Sequence, residues 1–403
     1  MPEVLILCEY PTLSGGERSM LATLNGVARA GFVATVAAPP EGPLAEALAA
    51  RGIELVGLAT RDPSGGHRSQ AAIREELACL LARRRPSLLH ANSLAMGRLA
   101  GPVTRSLEIP SLAHLRDIIR LSRQAIADLN HHTRLLAVSE AVRHFHTGRG
   151  LAKEKTFVLH NGVDLGQFRP GAPRNGEETT AAVQCSRHTP CTAADGTRRV
   201  PATTGYLHEE LEISPGVPLV AAIGQIGIRK GFDVLLRAAV QVSQKRPGVH
   251  FLLAGRRWSD KAESRRFEAD LQQWAEERLA GLVHFLGLRA DVDQLLREVT
   301  ILVHPARQEP LGRVLLEAAA SGVAVVATDV GGTREIFPPE SRAARLVPPD
   351  EPECLADAML ELLGDGPLRT QLGLAARRRA VAAFSAERAT AGLVEHYRQV
   401  SNR

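Results

Sequence analysis

The chain has 403 residues and a mass of 43.3 kDa, with 44 % hydrophobic residues, 23 % charged residues and a formal net charge of +5. These are globular proportions, which exclude a wholly disordered or low-complexity chain, and the length suggests two domains, or three, that can each bury a core. No apolar run reaches the ~18 residues of a membrane helix, and no basic run interleaved with aromatic residues points to nucleic acid.

The N-terminus, Met1-Pro2-Glu3-Val4, leads into an apolar stretch without a basic flank and so does not read as a signal peptide. Five cysteines without a framework spacing suggest a reducing, cytoplasmic setting. Residues 1–170 carry 20 Lys and Arg against 15 Asp and Glu, which places the basic excess in the N-terminal part. Weak attraction to an anionic substrate, or peripheral contact with the inner face of a membrane, is the expected consequence.

In chain order, short runs that are apolar on both faces predict strands at Val4–Cys8, Val33–Ala38, Ile53–Leu58, Leu88–Asn92, Leu112–Leu115, Leu135–Ser139 and Thr156–His160. Helical patterns lie between them, among them Glu17–Ala30, Gln70–Arg84 and Glu140–Thr147. Strand–helix alternation predicts a doubly wound parallel sheet. The pattern stops from about Pro170 to Pro215, a stretch rich in Thr, Gly, Pro, Arg and Glu that reads as a linker with an inserted disordered loop. It resumes with strands at Leu219–Ile223, Phe251–Ala254, Val283–Leu286, Ile301–His304, Ala324–Thr328 and Arg345–Val347. Helices are predicted at Val234–Gln244, Arg265–Leu279, Asp291–Glu298 and Gly312–Ala320, and residues 351–400 show three more. The expected division is an α/β domain over 1–168, a linker over 169–215, a second α/β domain over 216–384 and a C-terminal helix over 385–403. Ligands bind such sheets at the carboxyl ends of the strands, so two facing sheets predict a cleft between them.

Three motifs fall at strand ends. Ser14-Gly15-Gly16-Glu17 follows the first strand and opens the first helix, where backbone amides can approach an anion. Gly224-Gln225-Ile226-Gly227-Ile228-Arg229-Lys230-Gly231 sets two cations side by side, an arrangement that a diphosphate would neutralise. Without Gly-Lys-Ser/Thr it is not a nucleotide-hydrolysing phosphate loop. Glu309-Pro310-Leu311-Gly312 leads into a helix that carries Glu317. Eight residues of helical rise would separate the two carboxylates by on the order of 12 Å. That exceeds a glycosidase pair, so the two are expected to hold the ends of one long ligand.

The Glu309-to-Glu317 spacing with Pro-Leu-Gly after the first glutamate resembles the signature of the retaining GT-B glycosyltransferases of family 4. Other segments match in order: the Gly15-Gly16 loop, His114 within Ala113–Asp117, Val138-Ser139-Glu140, Asn161-Gly162-Val163-Asp164, Arg229-Lys230-Gly231, Leu253-Ala254-Gly255, Phe285-Leu286-Gly287 and Thr328–Gly332. The resemblance covers the chain outside about 171–215. It implies two Rossmann-like domains facing a cleft, with the last helix crossing back to the N-terminal domain. It also implies transfer of a sugar from a nucleoside-diphosphate donor, by a front-face route, to a glycan, lipid-linked or small-molecule acceptor. Neither a metal nor another cofactor is implied, because the nucleotide sugar is a substrate.

By the same resemblance Arg229 and Lys230 would neutralise the leaving diphosphate, and Glu309 would hold donor-sugar hydroxyls with the amides of Leu311 and Gly312. Glu317 would accept from the ribose, His114 would stand at the acceptor-side wall, and Gly15, Gly16, Gly224 and Leu288 would line the donor site. Many relatives read Gly-Arg-Leu where this chain has Gly224-Gln225-Ile226, and Arg229 takes the place of that arginine. A sugar-nucleotide epimerase of the same architecture and a non-catalytic nucleotide-sugar binder are the alternatives. An epimerase would need no acceptor, and a binder would show no turnover.

Weaker signals receive structural readings. Asp291-Val292-Asp293 reads as a helix cap. Cys185-x2-His188-x2-Cys191, with His208, has ligand-like spacing inside the insert. Cys8, Cys79 and Cys354 read as core. His131-His132 and His144-x-His146 read as surface helix ends or acceptor contacts. Arg83–Arg85 and Arg377–Arg379 read as solvated helix ends, with a membrane surface as the functional alternative.

Overall fold

The computed structural model describes residues 1–62, 64–171 and 205–401. Seven strands form the first sheet: β1 (Glu3–Leu7), β2 (Val33–Ala38), β3 (Glu54–Gly57), β4 (Leu88–Ala91), β5 (Ser111–Leu115), β6 (Arg134–Ala137) and β7 (Thr156–Val158). Their order is β3-β2-β1-β4-β5-β6-β7, and every pairing is parallel. Six form the second: β8 (Leu219–Ile223), β9 (His250–Ala254), β10 (Val283–Gly287), β11 (Ile301–His304), β12 (Val325–Thr328) and β13 (Arg345–Val347), in the parallel order β10-β9-β8-β11-β12-β13. Strands such as Leu88–Ala91 and Val325–Thr328 are buried along their whole length, because helices cover both faces of each sheet.

Serine sets the helix starts of the first domain. Ser69, Ser93, Ser122 and Ser139 accept from the amides of Ala72, Met96, Ala125 and Val142 at 3.1–3.2 Å. Leu94–Ser106 is a helix despite Gly97, Gly101 and Pro102 within it. A Cβ on Gly101 would lie 1.9 Å from the Asp128 carbonyl oxygen, so close packing on the helix Arg123–Asn130 excludes any larger residue.

The expected linker is shorter than its composition suggests. Residues 205–213 belong to the second domain, where Leu207 and Ile213 are buried. Glu298 caps the helix Tyr206–Glu210, accepting from the amides of Gly205 (2.7 Å), Tyr206 (3.1 Å) and Leu207 (2.9 Å). Cys185, His188 and Cys191 lie outside the described residues, as does most of the predicted insert. Among the described residues no group of three or more His, Cys, Asp or Glu could hold a metal ion. No described helix is long and apolar enough to cross a membrane.

The chain returns to the first domain at its end. Val163 and Ser385 form a parallel bridge, with Val163 N–H donating to the Phe384 carbonyl at 2.8 Å and Ala386 N–H to the Val163 carbonyl at 3.0 Å. The last helix, Ala386–Ser401, then buries Leu393, Val394, Tyr397 and Val400 in the core built from Val4, Ile6, Leu24 and Val36. Its apolar spacing of three to four residues presents one face to the helix Gly15–Arg29.

Several sequence readings change. Cys79 and Cys354 are exposed, because the inner faces of their helices are carried by Ile73, Leu77 and Leu81 and by Leu355, Met359 and Leu362. Asp291 occupies the cap position but caps no amide. Its carboxylate meets Arg289 at 2.7 and 2.9 Å and accepts from the Tyr206 hydroxyl at 3.1 Å. His132 and His146 are core residues: His132 contacts Ser111 Oγ and the Gly97 carbonyl, and His146 the Asp117 carbonyl, all at 2.8 Å. Arg84 joins Glu3 and Glu54 at 2.8 and 2.6 Å. Arg377 reaches the Phe168 and Ala320 carbonyls at 2.8 and 2.5 Å, tying the two domains.

Candidate active site

Both sheets reverse strand order about a central pair, β1 and β4 in one and β8 and β11 in the other. The loops leaving those four strands face each other across a cleft of about 650 Å³. The second domain lines it with Arg229, Lys230, Arg256, Arg289 and Arg313 against only Glu309 and Glu317. The first contributes Arg18, Arg98 and Arg116 against Glu9, Glu17 and Asp117. The charge excess is therefore on the second-domain wall, which is the electrostatic footprint of an anion.

Glu309 is the centre of that wall. It lies in the loop after β11, and the helix begins only at Arg313, so the rise estimate from the sequence does not set its distance from Glu317. Its Oε2 accepts from Lys230 Nζ at 2.5 Å and from His304 Nε2 at 2.8 Å, and the side chain is 7 % exposed. Burial alone would raise this carboxyl group, but Lys230 and His304 prevail and hold it well below the usual carboxylate range. Burial lowers His304, so the ring is neutral and donates its N–H to the carboxylate. A tight turn behind the loop fixes Glu309: Gly332 N–H donates to its carbonyl at 3.0 Å. A Cβ on Gly331, at φ 52°, would lie 1.9 Å from the same oxygen.

Glu317 sits one turn into the helix Arg313–Ala320, and its Oε1 accepts from Arg313 Nε at 2.8 Å. Arg313 also reaches across the cleft to Ser19 Oγ at 3.4 Å. The glycine loop faces it: Gly15 lies against the Arg313 side chain and Gly16 against that of Arg116. Arg116 is held by the Asn92 carbonyl, Asn92 Oδ1 and Asn161 Oδ1, each at 2.8 Å. Burial lowers its guanidinium to about 10 against the opposing pull of Glu17. Arg229 lies 3.9 Å from Asp117 of the opposite wall.

Gly224, Leu288, Leu311 and Gly312 also line the cleft, with Leu288 exposed at the end of β10. His114 does not. It is buried beneath the first-domain wall and lines a separate cavity of about 20 Å³ with Asn92, Arg116 and Asn161, which belong to both. The two domains are also latched at Glu335, whose carboxylate accepts from the amides of Glu140 (2.8 Å) and Ala141 (3.0 Å) and from His160 Nε2 (2.8 Å). Here a second-domain acid caps a first-domain helix and complements its dipole. Ser139 Oγ donates to the Pro310 carbonyl at 2.5 Å beside it. Sequence reasoning did not assign His304, Arg313 or Glu335. His304 carries the one signal that was available, a histidine at a strand end five residues before Glu309.

Residues 13–167 match the family described as Glycosyltransferase Family 4, and residues 217–365 match Glycosyl transferases group 1. The chain belongs to the group 1 glycosyltransferases. Its two matched segments are the two Rossmann-like domains, and the architecture is GT-B. Among curated relatives, this group 1 member is 34 % identical over 208 residues to the D-inositol 3-phosphate glycosyltransferase of Nocardia farcinica, covering 51 % of the chain and 45 % of that protein. It is 28 % identical over 276 residues to the alpha-maltose-1-phosphate synthase of Mycolicibacterium smegmatis, covering 66 % of the chain and 63 % of that protein. The chain thus spans 45–63 % of the length of these two relatives. Anabaena Alr3699/HepE in complex with UDP-glucose shares the fold at a TM-score of 0.81 and 20 % identity, over 99 % of this chain and 100 % of that one. Sucrose-phosphate synthase from Thermosynechococcus elongatus does so at 0.74 and 21 %, over 99 % of both chains.

Proposed function

We propose that this group 1 glycosyltransferase moves a sugar from a nucleoside-diphosphate donor to an acceptor with retention at the anomeric carbon, without a metal. The observation that carries the reading is the wall of five cations around the Lys230–Glu309–His304 chain. Lys230 and Arg229 stabilise the charge that builds on the departing diphosphate, the work a divalent ion does elsewhere. Glu309, ionised and fixed from two sides, accepts from hydroxyls of the transferred sugar. Lys230 and His304 both bind Oε2, so Oε1 is the oxygen that meets the sugar, and the low basicity they impose makes the carboxylate a weak nucleophile, which favours a front-face route over a covalent intermediate. Glu317, oriented by Arg313, accepts from the ribose. Relatives differ in donor: one solved structure holds UDP-glucose, whereas a mannosyltransferase of Corynebacterium glutamicum is GDP-mannose-dependent.

A thermal-shift panel of UDP-, GDP- and ADP-sugars, with and without EDTA, tests the donor reading. One donor class at about 100 times its Kd should stabilise the protein by roughly 2.7 kcal/mol. That shift should survive EDTA. No shift in folded protein removes the donor-site assignment, and loss of the shift in EDTA removes metal independence. Product formation only when an acceptor is present separates transfer from epimerisation, and the anomeric configuration of that product tests retention.

The acceptor wall favours an anionic group. Arg98, on the helix Leu94–Ser106, lines the cleft with its Nε buried and unpartnered, and no carboxylate lies within 4 Å of its guanidinium among the described residues. A buried donor left without a partner costs on the order of 1–3 kcal/mol, which a phosphate or carboxylate on the acceptor relieves. Arg98→Gln is expected to raise the acceptor KM by about 10- to 100-fold with donor affinity unchanged. Steady-state kinetics with phosphorylated and neutral acceptors check this, and equal use of both by the native enzyme would count against it.

A further inference from the structure

The C-terminal helix reaches the wall of the active site through a line of three buried side chains. Tyr397 is fully buried, and its hydroxyl lies 2.6 Å from His90 Nδ1. His90 Nε2 lies 2.7 Å from His114 Nδ1. Among the described residues neither the tyrosine hydroxyl nor His114 Nε2 has another hydrogen-bond partner. His114 Nε2 is not sealed off, and the ring borders the small cavity beside Asn92, Arg116 and Asn161. That cavity has room for about one water molecule, or for a ligand oxygen of similar size.

From these contacts we infer that Tyr397 is a positioning residue that fixes the tautomer of His114 through His90, so that His114 presents Nε2–H, a donor, toward the site. A buried hydroxyl proton must find an acceptor, and among the described residues the acceptor bonded to Tyr397 is His90 Nδ1 alone. His90 Nδ1 is therefore bare. Both rings are neutral, because burial foremost, and then the Arg116 charge, disfavour the imidazolium form. A neutral imidazole carries one N–H, so His90 bears it on Nε2 and donates it to His114 Nδ1. His114 in turn bears its own N–H on Nε2. The reverse direction would strand the tyrosine proton in the core without an acceptor. His114 thus presents a donor to the small cavity beside Asn92, Arg116 and Asn161, for a water or a ligand oxygen that reaches it, and its Nε2 is not a base there.

The consequence for transfer rests on the proposed function, but the tautomer itself does not, and the test separates them. Long-range proton–nitrogen correlation spectra of the uniformly 15N-labelled full chain, recorded without donor or acceptor, report which ring nitrogen carries the proton. His114 Nε2 is expected in the N–H range and Nδ1 in the bare range, with the same pattern in His90. In Tyr397→Phe, which keeps the edge contact with Phe32 at 5.6 Å between ring centroids, the bias is removed. The His114 nitrogens then shift toward values averaged over both tautomers. A proton on His114 Nδ1 in the native chain overturns the inference. So do unmoved His114 signals in a Tyr397→Phe variant whose melting curve shows it folded. If that variant does not fold, the native spectrum alone decides.

Discussion

Replacing Lys230 with alanine is expected to lower kcat by about 10²–10³-fold, the usual effect of removing one group that stabilises developing charge. Two losses combine. The proposed diphosphate would lose the ammonium that stabilises it, and Glu309, 7 % exposed, keeps His304 alone as an ionic partner among the described residues. Breaking a buried pair from one side costs about 3–5 kcal/mol. The single variant is therefore also expected to melt at lower temperature. Lys230→Ala with Glu309→Gln removes the stranded charge and should recover the melting point without recovering turnover. Arginine at 230 should not restore activity, because its planar fork does not match a contact made by a point charge. Single-turnover kinetics beside melting curves separate the two losses. A Lys230→Ala enzyme within threefold of native turnover would remove this residue from the mechanism.

Lowering the pH from 7.5 to 5 is expected to remove at least about 4 kcal/mol of stability from the first domain, which is the share of His90 and His132 alone. His90 is lowered to about 3 and His132 to about 4, both chiefly by burial. In the unfolded chain each ring titrates near 6.5. Between those values the unfolded state binds protons that the folded state refuses, so stability is full above about 6.5 and falls as the pH drops toward the folded values. At pH 5 each ring contributes about 2 kcal/mol to the loss. Urea denaturation followed by circular dichroism at the two pH values measures it. His132→Gln should reduce the loss by about 2 kcal/mol, leaving His90 together with His114 and His396, which burial also lowers. An unchanged urea midpoint between pH 7.5 and 5 would mean that the rings are protonated in the folded protein.

The strands were legible because each is short and apolar on both faces, as Leu88–Ala91 shows, and their ends located the cleft. Within the cleft, Gly16, Lys230, Glu309 and Glu317 stand in contiguous motifs that carry their own signal. Contacts made between distant segments carry none. Glu335 looks like a surface residue of a short helix until the amides of Glu140 and Ala141 are brought to it. His114 belongs to a matching motif, yet the line of contacts that reaches it through His90 starts at a tyrosine 283 positions later. Cys79 misled because a mostly apolar helix does not reveal which face turns inward. The glycines of Leu94–Ser106 lower its helix propensity, yet Gly101 is required by the close approach of the Asp128 carbonyl.

The return of the last helix has a temporal meaning. Leu393, Val394, Tyr397 and Val400 complete a core that begins with Val4 and Ile6. During synthesis the first helix, Gly15–Arg29, leaves the ribosome with an uncovered apolar face and waits for nearly the whole remaining chain. The second domain, contiguous from residue 205 to Phe384, is free to form in that interval. The half translated first is therefore completed only after the second domain has been made. A chimera between two relatives must splice twice, so that each tail stays with its own N-terminal half.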